Sequence, residues 1–229
     1  MGEIYVKVIG DGPYLVFGKP ELCEEIIISD NDNVSIEYAK GKVFEVNSNP
    51  VALCRCGKTK NPPFCDNSHS CMDFDGTETA SFEPVINNCI KYSGRYLTLF
   101  DNEKLCACAR FCDAAGSVWS LIYKDDYLST SEVKRQVNLC PSGRLILFDK
   151  DGNMLEDNLQ KCITVLKDDG LGISGPLWLK GGIRVESAGG ASYEIRNRQT
   201  LCRCGKSKNK PFCDCSHTHI KFIAGNPYS

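Results

Sequence analysis

Two segments of the chain repeat the same pattern of cysteine and histidine. Residues 53–69 read LCRCGKTKNPPFCDNSH, and residues 201–217, which lie 148 positions later, read LCRCGKSKNKPFCDCSH. Both follow the spacing C-x-C-x8-C-x3-H. The candidate ligands are Cys54, Cys56, Cys65 and His69 in the first copy, and Cys202, Cys204, Cys213 and His217 in the second. Three thiolates and one imidazole can complete the coordination sphere of a metal, so the repeat predicts two equivalent metal sites.

The spacing inside each motif suits ligation. Cys54 and Cys56 alternate on an extended segment, so their side chains share one face. Cys65 and His69 are about one helical turn apart, which lets both face the same site. Two of the three histidines in the chain occupy these matched positions, which favours ligation over a solvated or core role. On the ligands alone zinc fits as well as iron, although zinc sites usually offer C-x2–4-C pairs.

The longer pattern C-x-C-x2-[ST]-x3-P-x-C-D-x-S-H resembles the CDGSH iron–sulfur domain family, which includes mitoNEET-like proteins. The resemblance implies that each motif binds a [2Fe-2S] cluster through its three cysteines and one histidine. The chain departs from the family at a glycine, which is replaced by Asn67 in one copy and by Cys215 in the other. Asparagine tolerates left-handed backbone better than cysteine does. Cys215 also adds a spare thiol, which could fill the glycine site as a small buried residue, act as an alternate ligand or serve as a redox partner.

A second group of cysteines lies between the two motifs. Residues 105–112 read LCACARFC, and a further cysteine precedes Pro141. The group consists of Cys106, Cys108, Cys112 and Cys140. It resembles mono-cluster ferredoxins, which implies a third cluster of the [3Fe-4S] or [4Fe-4S] type. The spacing is C-x-C-x3-C rather than C-x2-C-x2-C, so the outer pair matches and Cys108 does not. An empty site, a zinc-filled site and buried structural thiols are the alternatives.

The segments before the two motifs also match in order, which indicates duplication of a small β-rich unit. Short β-branched and aromatic runs, bounded by Gly, Pro, Asn or Asp, predict the strands. These strands are 4–9, 14–17, 25–28, 42–46, 96–100, 118–123, 145–148, 163–166, 177–180, 183–186 and 192–195. A helix is predicted over 132–139, with Ser129 or Thr130 as its N-cap and with Pro141 and Gly143 ending it.

We therefore expect a β-rich α+β fold, in which two duplicated small β units with CDGSH cluster loops flank a ferredoxin-like insert. The predicted units are 1–81, 82–150 and 151–229. Single-motif members of the CDGSH family form two-fold dimers. The resemblance thus implies that the two copies pack as an internal pseudo-dimer in a monomer, with a homodimer as the alternative.

Composition excludes several classes of protein. The net charge of −2 offers no basic face, so nucleic acid is not expected as a partner. No apolar run is long enough for a bilayer, and charged residues near the N-terminus interrupt any signal-peptide core, so we expect a cytoplasmic protein without membrane contact. The chain has 15 cysteines, an odd number that cannot pair completely into disulfides, and most of them cluster at the spacing of metal ligands. Metal or redox chemistry is therefore favoured over a disulfide framework.

One-electron transfer is the leading expectation for the function, with redox partner proteins or apo iron–sulfur proteins as partners. Storage and transfer of clusters, and sensing of redox state or iron, are alternatives from the same chemistry. A zinc-stabilised binding module is the structural alternative. An enzyme is not expected, because the sequence offers no nucleophile–base pair, phosphate loop or substrate-orienting set.

Overall fold

The computed structural model describes residues 2–226, which form three small sheets joined by short helices. The strands are β1 Tyr5–Val8, β2 Tyr14–Phe17, β3 Glu21–Ser29, β4 Ser35–Val43, β5 Val51–Leu53, β6 Ile90–Ser93, β7 Leu97–Asp101, β8 Leu145–Asp149, β9 Cys162–Asp168, β10 Ile173–Lys180, β11 Arg184–Glu186 and β12 Arg198–Leu201. The helices are α1 Val118–Leu121, α2 Tyr127–Leu139 and α3 Ser216–His219, with 3-10 helices at Ser68–Cys71, Val85–Asn88, Glu103–Leu105 and Phe111–Gly116. The predicted β-rich α+β class is confirmed. Each helix in this part of the chain is too short or too polar to span a bilayer.

The two halves of the repeat, β1–β5 and β9–β12, share their sheets, because β11 joins the sheet of the first half and β3 and β4 join the sheet of the second half. One sheet has the order β11-β1-β2-β5, and the other has the order β12-β10-β9-β3-β4. Strand β11 pairs in parallel with β1, and Val185 lies opposite Val6. Strand β3 pairs in parallel with β9, and Leu22 lies opposite Ile163. Each sheet therefore contains strands from both halves.

Alternating burial along these strands produces one core for both halves. In β1, Val6 and Val8 are fully buried, whereas the residues on either side of Val6 are partly exposed, as expected for a strand with one face inward. Both valines belong to the same cluster as Leu177, Val185 and Leu201 from the second half. Burial of this apolar surface is the main driving force for the association of the halves. The shared core fixes the ends of β5 and β12, where the two cysteine motifs begin.

The insert between the halves forms its own layer. Its sheet has the order β6-β7-β8, and α2 packs on β8. Helix α2 begins after Asp126, whose carboxylate accepts a hydrogen bond from the Ser129 backbone at 2.8 Å and so caps the first turn. Val133 and Val137 on this helix are fully buried in a cluster that also contains Leu99. The insert therefore has a hydrophobic core separate from that of the two halves.

Buried polar contacts dock the insert on both halves. Arg198 on β12 donates hydrogen bonds to the carbonyl oxygens of Cys140 at 2.9 Å and Leu145 at 3.2 Å. On the other side, the Tyr38 hydroxyl donates to the Leu139 carbonyl at 2.9 Å. Buried donors of this kind are costly to leave unpaired, so they hold the end of α2 in place. The position of Cys140 is consequently set by a strand of the second half.

Most predicted elements are confirmed within a few residues. The structure contains strands that cover or overlap closely the predictions at 4–9, 14–17, 25–28, 96–100, 145–148, 163–166, 177–180 and 183–186. The predicted helix at 132–139 is also present, although it begins earlier and its N-cap is Asp126 rather than Ser129 or Thr130. The unit boundaries after residues 81 and 150 stay predictions.

Three predicted strands are wrong, each for a local reason. Residues 118–123 begin with the helix α1, because Val118, Leu121 and Ile122 are buried at helical spacing rather than in alternation. The strand predicted over 42–46 overlaps only the last two residues of β4, which ends at Val43. At 192–195 the chain forms a single isolated bridge, from Ser192 to Glu186, instead of a strand.

Candidate metal centres

The donor atoms of the first motif form two close pairs. The Sγ atoms of Cys54 and Cys56 are 3.7 Å apart, and Cys65 Sγ lies 3.5 Å from His69 Nδ1. A tetrahedral metal with bonds of about 2.3 Å to sulfur and about 2.1 Å to nitrogen separates two of its ligands by roughly 3.5–3.8 Å. Each pair is therefore spaced like two ligands of one metal ion. Nδ1 is the imidazole atom that faces this position.

The second motif repeats this geometry. The Sγ atoms of Cys202 and Cys204 are 3.7 Å apart, and Cys213 Sγ lies 3.4 Å from His217 Nδ1. In both motifs the structure brings together the side chains that the sequence pairs. Their role as metal ligands stays a prediction, and the donor types and separations fit an iron–sulfur cluster held by three thiolates and one imidazole.

Each ligand loop is closed by its own backbone. The Cys54 amide donates to the Pro63 carbonyl at 2.8 Å, and the Cys65 amide donates to the Ala52 carbonyl at 2.9 Å. The Thr59 hydroxyl donates at 2.7 Å to a carbonyl of the same arm. The second loop contains the corresponding bonds from Cys202, Cys213 and Ser207. The protein backbone therefore sets the positions of the donor atoms.

The aspartate after the third cysteine braces each loop. Asp66 accepts hydrogen bonds from the Lys60 amide at 2.8 Å and from the Ser68 amide at 3.0 Å. Hydrogen bonds from the Ser68 side chain and from the Lys60 backbone lower the pKa of Asp66 to about 2. Asp214 makes the same two bonds at 2.7 and 3.0 Å in the second loop. The carboxylate thus ties the start of the short helix that carries the histidine to the long arm of the loop.

The residues at the glycine position of the family have left-handed backbone in both loops. Asn67 has φ 69° and Cys215 has φ 75°, and each lies immediately before the short helix. The turn is therefore retained in both copies despite the substitutions. A cysteine in this region carries a backbone cost of about 1 kcal/mol or more, whereas asparagine adopts it more readily.

The two ligand loops contact each other through matched glycines. A Cβ atom at Gly57 would lie 2.7 Å from the Cys204 carbonyl oxygen, and one at Gly205 would lie 2.5 Å from the Cys56 carbonyl oxygen. The φ angles of these glycines are 80° and 77°. Only glycine satisfies both the close approach and the positive φ. Each loop therefore packs its glycine on a candidate ligand of the other loop.

Tyr14 adds a contact that only the second loop receives. Its hydroxyl donates to the carbonyl oxygens of Cys202 at 2.9 Å and Pro211 at 3.0 Å, and its side chain is fully buried. By strand register the equivalent residue in the second half is Leu177, which has no hydroxyl. The first half thus supports the second loop without a reciprocal bond.

The arginines between the ligand cysteines are buried rather than solvated. Arg55 and Arg203 are 1% and 4% exposed. Arg203 donates to the carbonyl oxygens of Gly175 at 3.0 Å and Leu166 at 3.2 Å, and Arg55 donates to the Gly76 carbonyl. Both guanidinium groups therefore fix backbone around the loops, and they place a positive charge close to the thiols.

Sequence reasoning missed the aromatic partners of these arginines. Arg55 lies 5.3 Å from the ring centre of Phe74, and Arg203 lies 5.6 Å from that of Phe222. The two phenylalanines keep the 148-residue offset of the motifs, so the repeat extends beyond the histidines. Cation–π contacts of this kind stabilise a buried guanidinium group.

The two sites differ in exposure. The four candidate ligands of the second site are all buried, whereas Cys65 and His69 of the first site are partly exposed. The insert covers the second loop, where Asn209 Nδ2 donates to the Lys104 carbonyl at 3.1 Å. The first site is therefore the one whose ligands water and partner molecules can reach more readily.

Local electrostatics act in opposite directions on the candidate ligands. The hydrogen bond from Cys54 raises the pKa of Cys56, and burial raises the pKa of Cys65 and of Cys213. The hydrogen bond from Cys56 lowers the pKa of Cys54, so this thiol ionises easily. Burial, followed by the charge of Arg203, lowers the pKa of His217 to about 4. The His217 imidazole is therefore neutral at neutral pH, which is the form that binds metals.

Three free thiols of the insert lie in one region. Cys112 and Cys140 both pack with the hydrophobic core of the insert. Burial, followed by the charge of Cys140, raises the pKa of Cys112 to about 12, and Cys106 contributes in the same direction. Cys112 and Cys140 therefore share one core, and the charge of Cys106 reaches the Cys112 thiol.

A buried ion pair lies beside this group. Arg144 donates two hydrogen bonds of 2.6 Å to Asp101, which also accepts one from Trp119 Nε1 at 2.9 Å. Burial acts to lower the pKa of Arg144, but Asp101 and the thiol of Cys106 outweigh it and raise the pKa. A fixed positive charge therefore faces Cys106, where it would offset thiolate charge. The sequence pattern did not single out this arginine.

Cys108 lies where the insert meets the second ligand loop. The structure joins it to Cys215 of the second loop in a disulfide, with the two Cα atoms 5.4 Å apart. A sulfur in a disulfide is not a thiolate and cannot ligate iron. In this form the insert presents three of its four predicted ligands, and the spare thiol of the second motif is the partner of the fourth.

Comparison with protein families follows the same division of the chain. Residues 11–70 and 174–218 match the family described as iron-binding zinc finger, CDGSH type. The chain carries two CDGSH-type iron-binding segments. Residues 92–150 match the family described as divergent 4Fe-4S mono-cluster. No curated protein and no solved structure matches the chain.

The matches confirm the resemblance of the repeats to the CDGSH family and of the insert to mono-cluster proteins. The two CDGSH segments contain all eight cysteine and histidine ligands of the repeat, and the mono-cluster segment contains the four cysteines of the insert. The tandem CDGSH chain is thus an iron–sulfur protein with a mono-cluster segment between its repeats.

Proposed function

We propose that the tandem CDGSH chain binds one [2Fe-2S] cluster in each repeat and acts in one-electron transfer. The observation that carries this proposal is the division of each donor set into a Cys–Cys pair and a Cys–His pair. Each pair has the separation of two ligands on one metal. Among residues 2–226, no three or more Cys, His, Asp or Glu side chains are grouped around a single-ion position. A pair of metals per motif fits this arrangement better than one zinc ion does.

A [2Fe-2S] cluster held there would take up and release one electron, and the imidazole ligand would raise its potential relative to four cysteines. The chain itself contributes rigidity. The glycine contacts between the loops, the Asp66 and Asp214 braces and the buried arginines leave the donor atoms little freedom to move when charge changes. Donor atoms that move little when the cluster gains or loses an electron suit a redox site more than a site of substrate chemistry.

The insert would hold a third cluster through Cys106, Cys112 and Cys140. Their mutual electrostatic interaction and the positive charge of Arg144 support a site for a negatively charged cluster. Because the insert packs on the second loop, this site and the second repeat lie together, while the first repeat faces solvent. We therefore propose that the first repeat exchanges electrons with a partner protein.

Cluster delivery to apo-proteins is the second candidate function. The partial exposure of Cys65 and His69 favours it, because a ligand that water reaches can dissociate without opening the fold. Sensing of redox state would use the same exposed site. No residue set in either repeat suggests substrate turnover, so an electron carrier rather than an enzyme is proposed.

Redox titration of anaerobically purified protein, followed by visible absorption, tests the proposal. Electron transfer predicts repeated reduction and reoxidation without loss of iron. Variants Cys65→Ser and Cys213→Ser, one for each repeat, assign the signals because the two positions are equivalent. Incubation of the reduced protein with an apo-ferredoxin is the companion assay. Release of iron to the acceptor during one redox cycle would favour delivery and contradict electron transfer.

A further inference from the structure

The Cys108–Cys215 disulfide joins two of the proposed cluster sites. Cys215 lies two residues after the candidate ligand Cys213, and Cys108 lies two residues after the candidate ligand Cys106. The bond therefore connects the ligand loop of the second repeat to the ligand segment of the insert.

Cys108 belongs to the insert site by position as well as by sequence. Its backbone amide points at Cys106 Sγ at 3.4 Å, so its Cα lies next to one of the three free thiols. Rotation about the Cα–Cβ bond moves a cysteine sulfur by about 3 Å, which is enough to change its partner without moving the backbone. When the disulfide is broken, the Cys108 thiol is therefore placed to join the insert group.

Cys215 is positioned as the partner that holds Cys108 away from this group. It occupies a tight turn with φ 75°, and its sulfur also lies 3.2 Å from the Thr218 hydroxyl. The equivalent turn of the first repeat carries Asn67, which has nearly the same φ of 69° and no thiol. The duplication thus shows that the turn does not require cysteine. The thiol is present only in the loop that the insert covers.

We propose that the Cys108–Cys215 pair is a thiol–disulfide switch that sets the number of cysteine ligands in the insert site. With the disulfide formed, the site presents Cys106, Cys112 and Cys140, which suits a [3Fe-4S] cluster. A dithiol reductant attacks the disulfide and itself becomes a disulfide, so two electrons and two protons pass to Cys108 and Cys215. A [3Fe-4S]0 cluster, reduced by the same dithiol, and one ferrous ion together hold the electrons of a [4Fe-4S]2+ cluster. The freed Cys108 thiol would lose its proton and hold that fourth iron.

This switch rests on the proposed function, because it requires a cluster in the insert. It also predicts a dependence on thiol redox state that the two CDGSH sites do not share. Cys108 is partly exposed, so a dithiol can reach the bond from solvent.

Anaerobic reconstitution with ferrous iron and sulfide, with and without dithiothreitol, tests the switch. Iron per chain, EPR and Mössbauer spectra report the cluster type, and mass spectrometry after alkylation reports the disulfide. Wild-type protein without dithiothreitol should retain the Cys108–Cys215 link and a three-iron spectrum. With dithiothreitol it should lose the link and gain about one iron per chain with a four-iron spectrum.

Two variants separate the ligand from its partner. Cys215→Asn copies the residue that the first repeat uses in this turn, so it should fold, and it should form the four-iron cluster without dithiothreitol. Cys108→Ser should keep the three-iron cluster in both conditions. Cys71→Ser, at an exposed spare cysteine, should behave as wild type.

An unchanged iron content and spectrum after loss of the link would overturn the switch while leaving a third cluster in place. A four-iron cluster in Cys108→Ser would overturn it as well. If no variant binds iron beyond the two repeats, the insert cluster of the proposed function fails together with the switch.

Discussion

Removal of the Tyr14 hydroxyl should weaken the second cluster loop and leave the first unaffected. In Tyr14→Phe, the carbonyl oxygens of Cys202 and Pro211 lose a donor in a fully buried position. A buried group left without its hydrogen bond costs about 1–3 kcal/mol. Since about 1.4 kcal/mol corresponds to a tenfold change in an equilibrium constant, the opening of the second loop should become roughly 5- to 150-fold more favourable. The first loop lacks an equivalent bond, because the matching residue is Leu177.

The rate at which excess chelator removes iron measures this change when each site is followed alone. In a chain that also carries Cys106→Ser, Cys112→Ser and Cys140→Ser, the variant Cys65→Ser isolates the second site and Cys213→Ser isolates the first. In the former, Tyr14→Phe should accelerate iron release by the factor given above, provided that the loop recloses faster than iron is captured. Tyr38→Phe is the matched control, because the Tyr38 hydroxyl also donates to a backbone carbonyl at 2.9 Å but does so in the insert.

Two results would refute this reasoning. The first is iron release from the second site at the wild-type rate in Tyr14→Phe. The second is equal acceleration at both sites, because that would mean a global loss of stability rather than a local contact. Thermal unfolding separates these cases, since a global loss of about 1–3 kcal/mol lowers the Tm of a chain of this size by roughly 2–12 °C.

Three further outcomes are expected. Gly205→Ala should reduce iron bound at both repeats, because its Cβ would meet a ligand carbonyl of the other loop. The control Gly190→Ala has the same sign of φ with open space around it and should retain the iron content. Equal iron in the two variants would contradict the loop contact. Arg144→Met leaves Asp101 buried without its ion-pair partner and should lower the free energy of unfolding by about 3–5 kcal/mol. The control Arg135→Met removes a more exposed pair and should change it by less than about 1 kcal/mol. Similar denaturant midpoints for the two variants would count against a buried pair. Removal of the metal should lower the Tm, because metal binding stabilises only the folded state. A bulky chelator should empty the exposed first site before the second. Release in the reverse order would refute the difference in exposure between the two sites.

The metal sites could be predicted from the sequence because their information is local. The C-x-C-x8-C-x3-H spacing fixes which side chains meet, since Cys54 and Cys56 share a strand face and His69 follows Cys65 by about one turn. Duplication then strengthened each assignment. The same locality explains why the strands with clear alternation, such as β1 and β7, were predicted within one residue.

The sharing of sheets between the halves could not be predicted in this way. Pairing of β11 with β1 depends on which edge is free when two copies meet, and no pattern within one strand specifies it. The strand predicted over 118–123 is wrong because the apolar residues of this segment fit both the two-residue period of a strand and the 3.6-residue period of a helix. Position in the fold decided between them.

The Cys108–Cys215 pairing is the most informative difference between the sequence-based prediction and the structure. Each cysteine departs from its own motif, one in spacing and one at the glycine position, but no local pattern connects residues 107 positions apart. Only the docking of the insert on the second loop brings them together. That docking depends on buried side chains such as Arg198, whose partners lie in other elements and leave no local signature.

Iron, zinc and acid-labile sulfide analysis of anaerobically purified protein, with EPR after reduction, tests the central claim most directly. The variant Cys106→Ser/Cys112→Ser/Cys140→Ser removes the insert ligands and isolates the repeats. We predict about four iron atoms and four sulfides per chain in this variant, with an EPR signal of reduced [2Fe-2S] clusters. A colourless protein that contains about two zinc ions per chain and no sulfide would contradict the account.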